Sequence, residues 1–245
     1  MSRYFIEVAY KGTRYAGFQV QQNANTIQAE IEKALLIYCR QSFQLTGSSR
    51  TDAGVHALQN YFHFDIESGD EYNWEQVAYH LNAILPDDIV IKNISKVSNE
   101  KHCRFDALSR SYEYTLYNAK DPFLDDRAYY YPYRLQIDLL NEAAMMIKNT
   151  ENFETFSKRN TQVQTYICSI TESHWMLRGK HEVVYKVTGN RFLRGMVRGL
   201  VGTMLKVGTK KIDLAEFAAI IESHNVMRAD FSMPAKGLSL IKVEY

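Results

Sequence analysis

The stretch "GSSRTDAGVHALQNYFHFD" (residues 47–65) places an aspartate in a short connection between two strand-like runs. The run "FQLTG" precedes the connection and the run "NYFHFDI" follows it. Asp52 lies at the bend together with Gly54, whose backbone is permissive, so a simple turn is one interpretation. The other interpretation is a reactive carboxylate held at the edge of a cleft.

The segments on either side of this connection alternate between strand and helix patterns. "RYFIEVAY" (3–10) alternates like a strand, and "NTIQAEIEKALLIYCR" (25–40) has helical spacing with Asn25 as the predicted N-cap. "NWEQVAYHLNAIL" (73–85) is a second capped helix, which opens on Asn73, and "IVIKNISKV" (89–97) is a strand. The resulting order of strand, helix, strand, strand, helix, strand predicts the split βαββαβ arrangement.

The second half of the chain repeats this order loosely. A long strand is predicted over 104–118, and Asp138 is the predicted cap of the next helix. Helices are predicted over 137–149, 190–208 and 213–223. We therefore expect an α+β protein of two ferredoxin-like βαββαβ halves, 1–103 and 104–245. Their mostly antiparallel sheets would abut into one extended sheet, with helices on one side and an active-site cleft between the halves.

Composition narrows the class of protein. Of 245 residues, 46% are hydrophobic and 23% are charged, as in ordinary globular proteins, and no apolar run reaches membrane-spanning length. The net charge of +1 means that any nucleic acid would bind a local basic surface. The three cysteines are far apart and odd in number, which suits a reducing compartment. Because the histidines show no ligand spacing, we expect no metal site.

Arginines recur along the predicted helix 190–208. Arg191, Arg194 and Arg198 follow an i, i+3, i+7 pattern, which would place them on one face. Such a face can be a solvated helix surface, or it can bind phosphate or pair with a carboxylate. Gly195, Gly199 and Gly202 would lie on another side, where another segment could approach the helix closely.

Tyrosines cluster in "SRSYEYTLY" (109–117). Tyr112 and Tyr114 would project from one face of a strand, which most often means a core stripe or a cross-strand ladder. An exposed tyrosine beside Arg110 can instead stack on an unpaired base. The sequence pattern leaves both interpretations open.

These segments together resemble the tRNA pseudouridine synthase A family. The strongest match is "RTDAGVH" (50–56), and the likeness spans nearly the whole chain in the right order. It is supported by "GTRYAGFQVQ" (12–21), "RFDALSRSYEY" (104–114), "FLRGMVRGLVG" (192–202) and "MPAKGLSLIKVEY" (233–245). The family usually has a different residue type where this chain has Lys11, Phe18, Ser49 and Cys103.

The resemblance implies an isomerase that converts uridine to pseudouridine in the anticodon stem-loop of tRNA. The resemblance implies that Asp52 is the nucleophile, that Arg198 pairs with Asp52, and that Tyr112 stacks on the target base. Candidates for other RNA contacts are Arg50, Arg14, Arg191 and Arg194. It also implies a cytoplasmic homodimer that uses no cofactor or metal and does not bind membranes.

Two other functions fit parts of the pattern. A nucleoside or glycoside hydrolase would also place a carboxylate at a glycosidic bond, although such enzymes commonly use a second acid. A non-catalytic RNA-binding module would share the βαββαβ halves and the strand aromatics. It would predict that Asp52→Ala leaves function intact.

Overall fold

The computed structural model describes residues 1–67, 72–159 and 163–245. The chain divides into two compact units. Unit 1 is Met1–Leu108 together with Leu240–Tyr245, and unit 2 is Ser109–Ser239. Both units combine helices with mostly antiparallel strands, as expected for the α+β class. Within the described ranges, no helix is both long and apolar enough to span a membrane.

Unit 1 has the predicted βαββαβ order. Its elements are β1 (Ser2–Tyr10), α1 (Ile27–Cys39), β2 (Thr46–Gly47), β3 (His56–Ile66), α2 (Trp74–Ile84) and β4 (Ile89–Val97). β1 lies between β4 and β3 and pairs antiparallel with both. Because β1 is central, its alternate side chains are buried, and Ile6 and Val8 are fully inaccessible.

The helices of unit 1 begin at side-chain caps. The hydroxyl of Thr26 accepts a hydrogen bond from the Ala29 N–H at 3.3 Å, so α1 begins after Thr26. The predicted cap Asn25 is therefore wrong by one residue. Asn73 caps α2 as predicted, accepting from the Gln76 N–H at 3.2 Å.

Unit 2 packs helices on a second set of strands. Its elements are β5 (Ser109–Tyr117), β6 (Tyr129–Tyr130), α3 (Ile137–Lys148), β7 (Ile170–Arg178), β8 (Glu182–Gly189), α4 (Met196–Gly208) and α5 (Leu214–Glu222). β8 lies between β5 and β7 and is antiparallel to both, whereas the short β6 is parallel to β5. The predicted cap Asp138 is wrong, because Gln136 is the N-cap and makes no side-chain cap bond.

α4 begins six residues later than the predicted start at 190. Gly195 is its N-cap in the left-handed region (φ +73°), which ends any helical run from the preceding residues. Arg191 and Arg194 therefore precede the helix, and the predicted single basic face is wrong. The predicted close approach is present, because a Cβ on Gly199 would lie 2.8 Å from the Phe231 ring.

The last strand, β9 (Leu238–Glu244), carries the C-terminus into unit 1. There the Val243 N–H donates to Gln59 Oε1 at 3.0 Å, and the Leu108 N–H donates to the Glu244 carbonyl at 2.7 Å. The Tyr245 hydroxyl donates to the Cys103 carbonyl at 2.6 Å. The chain end is thus held by both side-chain and backbone hydrogen bonds within unit 1.

Candidate active site

Asp52 lies in the connection between β2 and β3 and is half-buried. The Val55 N–H donates to the Asp52 carbonyl at 3.1 Å, and Gly54 has φ +78°, so the segment is a tight turn. In the part of unit 1 that the structure describes, no donor lies within hydrogen-bonding distance of the Asp52 carboxylate. The turn therefore positions a carboxylate that makes no structural hydrogen bond in this unit.

The segment Gly12–Phe18 packs directly against the backbone of this turn. A Cβ on Gly12 would lie 2.6 Å from the Val55 carbonyl carbon, and Gly17 adopts φ +120° beside Thr51. The Phe18 N–H donates to the Thr51 carbonyl at 3.2 Å. Only glycine fits at these two close approaches, so the "GTRYAGF" segment shapes the aspartate turn.

A buried polar network holds the residues just before Asp52. The Tyr10 and Thr51 hydroxyls are 2.8 Å apart, and the Asn60 Nδ2 donates to the Tyr10 hydroxyl at 3.2 Å. Asn60 also donates to the Ser49 carbonyl at 2.9 Å and accepts from its N–H at 3.3 Å. Sequence reasoning missed Tyr10 and Asn60. The available signal was an asparagine within a predicted strand run, and the structure shows that Asn60 is fully buried.

The two predicted arginine contacts of unit 1 have different surroundings. Arg50 is exposed and lines a pocket of about 320 Å³ together with His102, Arg104 and Phe105. Arg14 donates from Nε to Asp88 Oδ2 at 2.7 Å, and its side chain remains 68% exposed. Both guanidinium groups are accessible to a polyanion, although Asp88 already neutralises one of them.

In unit 2, Tyr112 and Tyr114 of β5 have different surroundings. Tyr114 is fully buried and donates to the Pro234 carbonyl at 2.8 Å, so it belongs to the core. Tyr112 is half-buried and contacts the edge of the Phe192 ring, with 5.0 Å between the ring centroids. Tyr112 is thus the tyrosine of this pair with ring surface left for a ligand.

Arg198 lies in the first turn of α4, where the helix dipole favours anions. Its Nε donates to the Met233 carbonyl at 2.6 Å, which fixes the guanidinium plane. Arg194 is exposed and Arg191 is half-buried in the segment before the helix. Asp52 lies in unit 1 while Tyr112 and Arg198 lie in unit 2. Their assembly into one site remains a prediction.

A cluster of His63, His102 and Cys103 lies elsewhere in unit 1. One nitrogen of each histidine and the Cys103 sulfur lie within 4.8 Å of one another. Burial, the charge of His102 and the charge of Arg3 lower the pKa of His63 to about 4. The pKa of His102 is lowered as well, mainly by burial. Both rings are therefore neutral at neutral pH.

These shifted histidines predict acid-sensitive stability. Between pH 6.5 and pH 4 the unfolded chain protonates His63 while the folded chain does not, so the free energy of unfolding falls as the pH is lowered through this window. Urea unfolding of metal-free protein at several pH values measures the slope. The slope should be smaller in His63→Asn and unchanged in His174→Gln. An equal slope in wild type and His63→Asn would contradict the prediction.

Comparison with known proteins gives matches along the whole chain. A family model described as tRNA pseudouridine synthase matches residues 6–106 and 143–245. A tRNA pseudouridine synthase A of Porphyromonas gingivalis is 42% identical, covering 100% of this chain and 98% of the relative. That of Bacteroides fragilis is 40% identical, covering 100% and 97%. That of Staphylococcus aureus is 36% identical, covering 98% and 90%.

Proposed function

The chain belongs to the tRNA pseudouridine synthase family, and we propose that it isomerises uridine in the anticodon stem-loop of tRNA with Asp52 as nucleophile. Members of this family are isomerases acting on tRNA. The observation that carries the proposal is the match to relatives over the full chain, which includes the Asp52 turn. The geometry of unit 1 supports the proposal. The turn packs against Gly12 and is hydrogen-bonded through Thr51, and its carboxylate accepts no hydrogen bond within the described part of the unit.

The reaction breaks the bond between ribose C1′ and uracil N1 and forms a bond between C1′ and C5. The proton on C5 leaves to a base, and N1 gains a proton, so nothing is added or lost overall. The detached uracil must be held while it rotates, which requires a site that encloses both fragments and excludes water. The target base must also leave the RNA stack to reach a half-buried carboxylate.

Asp52 suits the nucleophilic step because a carboxylate can form a covalent bond and then leave again. It attacks either the ribose anomeric carbon or the pyrimidine ring. Arg198 would stabilise the ionised carboxylate once the two side chains face each other. The hydrogen bond to Met233 orients the Arg198 guanidinium, and the dipole of α4 favours an anionic partner at this end of the helix.

Two substitutions of Tyr112 distinguish its proposed stacking on the target base from its proposed role in proton transfer. Tyr112→Phe is expected to keep tRNA affinity but to lower turnover about 100-fold, because phenylalanine lacks the oxygen that, as phenolate, would take the C5 proton. Tyr112→Ala should also weaken binding about tenfold, since base stacking contributes roughly 1–3 kcal/mol. Single-turnover rates and filter binding measure both effects. Tyr133→Phe, at a 65% exposed tyrosine, is the matched control. Wild-type turnover in Tyr112→Phe would remove the hydroxyl from the mechanism.

The accessible arginines position the RNA in this proposal. Arg14, Arg191 and Arg194 would contact phosphates, which sets register without reading sequence. Arg50 would fill the gap left by the everted base or bind neighbouring phosphates. We further propose a cytoplasmic homodimer whose joint surface holds the tRNA. Light scattering of the purified protein tests the dimer.

Mass spectrometry of nuclease-digested tRNA transcript tests the reaction. An isomerase converts uridine into a nucleoside of unchanged mass and different retention, and carbodiimide mapping then locates it in the anticodon stem-loop. A nucleoside hydrolase would release free uracil, and a binding module would change nothing. Either of these two outcomes would overturn the proposal.

A further inference from the structure

We propose that His63, His102 and Cys103 form a binding site for a borderline-soft divalent metal ion of the zinc class. All three residues lie in unit 1, His63 on β3 and the other two in the turn after β4. The inference stands apart from the proposed reaction, because none of the three residues has been given a role in it. It also departs from the expectation drawn from histidine spacing, which could not foresee that a distant turn meets β3.

The ligand set matches what zinc prefers. Imidazole nitrogen and thiolate sulfur are both ordinary zinc ligands, and zinc can be held by three protein ligands with solvent in the fourth position. His63 Nδ1 and Cys103 Sγ are 3.1 Å apart. Tetrahedral zinc with ordinary bond lengths holds such a nitrogen and sulfur about 3.5 Å apart. The two atoms would move only a few tenths of an ångström to admit the ion.

His63 already presents a lone pair at the right place. The Cys103 N–H donates to His63 Nδ1 at 3.4 Å, so Nδ1 is the unprotonated nitrogen and faces the sulfur. The ring is therefore prepared to act as a ligand without first losing a proton.

Binding would require local exchanges of hydrogen bonds, beginning with the Cys103 N–H, which the metal would displace from His63 Nδ1. The Cys103 thiol now donates to the Thr46 carbonyl at 3.1 Å, and it would lose this proton to become a thiolate ligand. His102 Nδ1 accepts the N–H groups of Arg104 and Phe105 at 3.1 and 3.3 Å. A metal bound through Nδ1 would replace those two contacts, which lie in an exposed turn where water can take them, whereas a metal bound through Nε2 would leave them in place.

The surrounding charges tolerate a cation. The charges of Arg3 and Arg104 both act on His102. Arg3 donates from Nε and Nη2 to both oxygens of Asp65 at 2.7 Å, so its charge is compensated. A thiolate from Cys103 would offset part of the metal charge. His102 is half-buried while Cys103 is fully buried. The ion would therefore enter from the His102 side, and the Cys103 side of the site would be closed to solvent.

Cobalt substitution tests the site. Full-length, tag-free protein is stripped with chelator and titrated with Co²⁺, whose bond to a thiolate gives a charge-transfer band in the near ultraviolet. We expect one Co²⁺ per chain, with the band removed by added Zn²⁺ because zinc binds such sites more tightly. The band should vanish in Cys103→Ala, and the affinity for Co²⁺ should fall at least about tenfold in His63→Ala and His102→Ala.

Cys168→Ala is the matched control, because Cys168 is equally buried and lies in unit 2. This variant should keep the band unchanged. Cys103→Ser preserves side-chain size and should remove the band without altering far-ultraviolet circular dichroism, which separates ligand loss from unfolding. A missing charge-transfer band in the wild type, or a band that survives in Cys103→Ser, would overturn the proposal and leave the cluster as a hydrogen-bond network.

Discussion

Replacing Asp52 with alanine is expected to abolish pseudouridine formation while tRNA binding stays close to wild type. The carboxylate is the proposed nucleophile, and loss of a nucleophile typically lowers turnover by more than about a thousandfold. Binding should persist because the proposed phosphate contacts come from arginines elsewhere. Folding should persist as well, because in the described part of unit 1 the carboxylate accepts no hydrogen bond that the variant would break.

Single-turnover conversion of a tRNA transcript, with filter binding in parallel, measures these effects. Asp52→Asn keeps the shape of the side chain and should be nearly as inactive, which attributes the loss to the carboxylate charge. Asp87→Asn offers a comparison at an aspartate that the proposal leaves without a role. Turnover near the wild-type rate in Asp52→Ala would refute the assignment and favour the RNA-binding alternative.

Gly12→Ala is expected to destabilise unit 1 by about 3 kcal/mol, near the upper end of the usual cost of overpacking. The added Cβ would lie 2.6 Å from the Val55 carbonyl carbon, and backbone atoms cannot rotate away as a flexible side chain could. Because Val55 ends the turn that holds Asp52, turnover should fall together with stability.

Urea unfolding and single-turnover assays check this pair of effects. Gly179→Ala is the comparison, since Gly179 has φ +64° and nothing within 4 Å of the added Cβ. Gly179→Ala should lower the free energy of unfolding by only roughly 1 kcal/mol, because alanine is strained in the left-handed backbone conformation. It should leave turnover unchanged. If Gly12→Ala proves no more costly than Gly179→Ala, the segment Gly12–Phe18 does not shape the turn.

The pattern of the sequence predicted the elements of unit 1 closely but misplaced the start of α4. Asn73 was predicted as a cap because its signal is local, an asparagine directly before a helical period. The residues before Met196 continue the same helical spacing, so periodicity alone extended the helix to 190. Gly195 ends that run through its left-handed conformation, which apolar spacing does not reveal.

Local patterns in the sequence therefore determined the α+β class and the βαββαβ order of unit 1, while the family resemblance of residues 50–56 singled out Asp52, whose role stays a prediction. Each of these depends on neighbouring residues, through propensity, capping and the spacing of one motif. The tertiary structure alone decided that the C-terminal strand joins unit 1, that Asn60 and Tyr10 hold the Asp52 turn, and that Cys103 meets His63. Such contacts join residues far apart in the chain, and they arise from packing, which spacing along one segment does not encode.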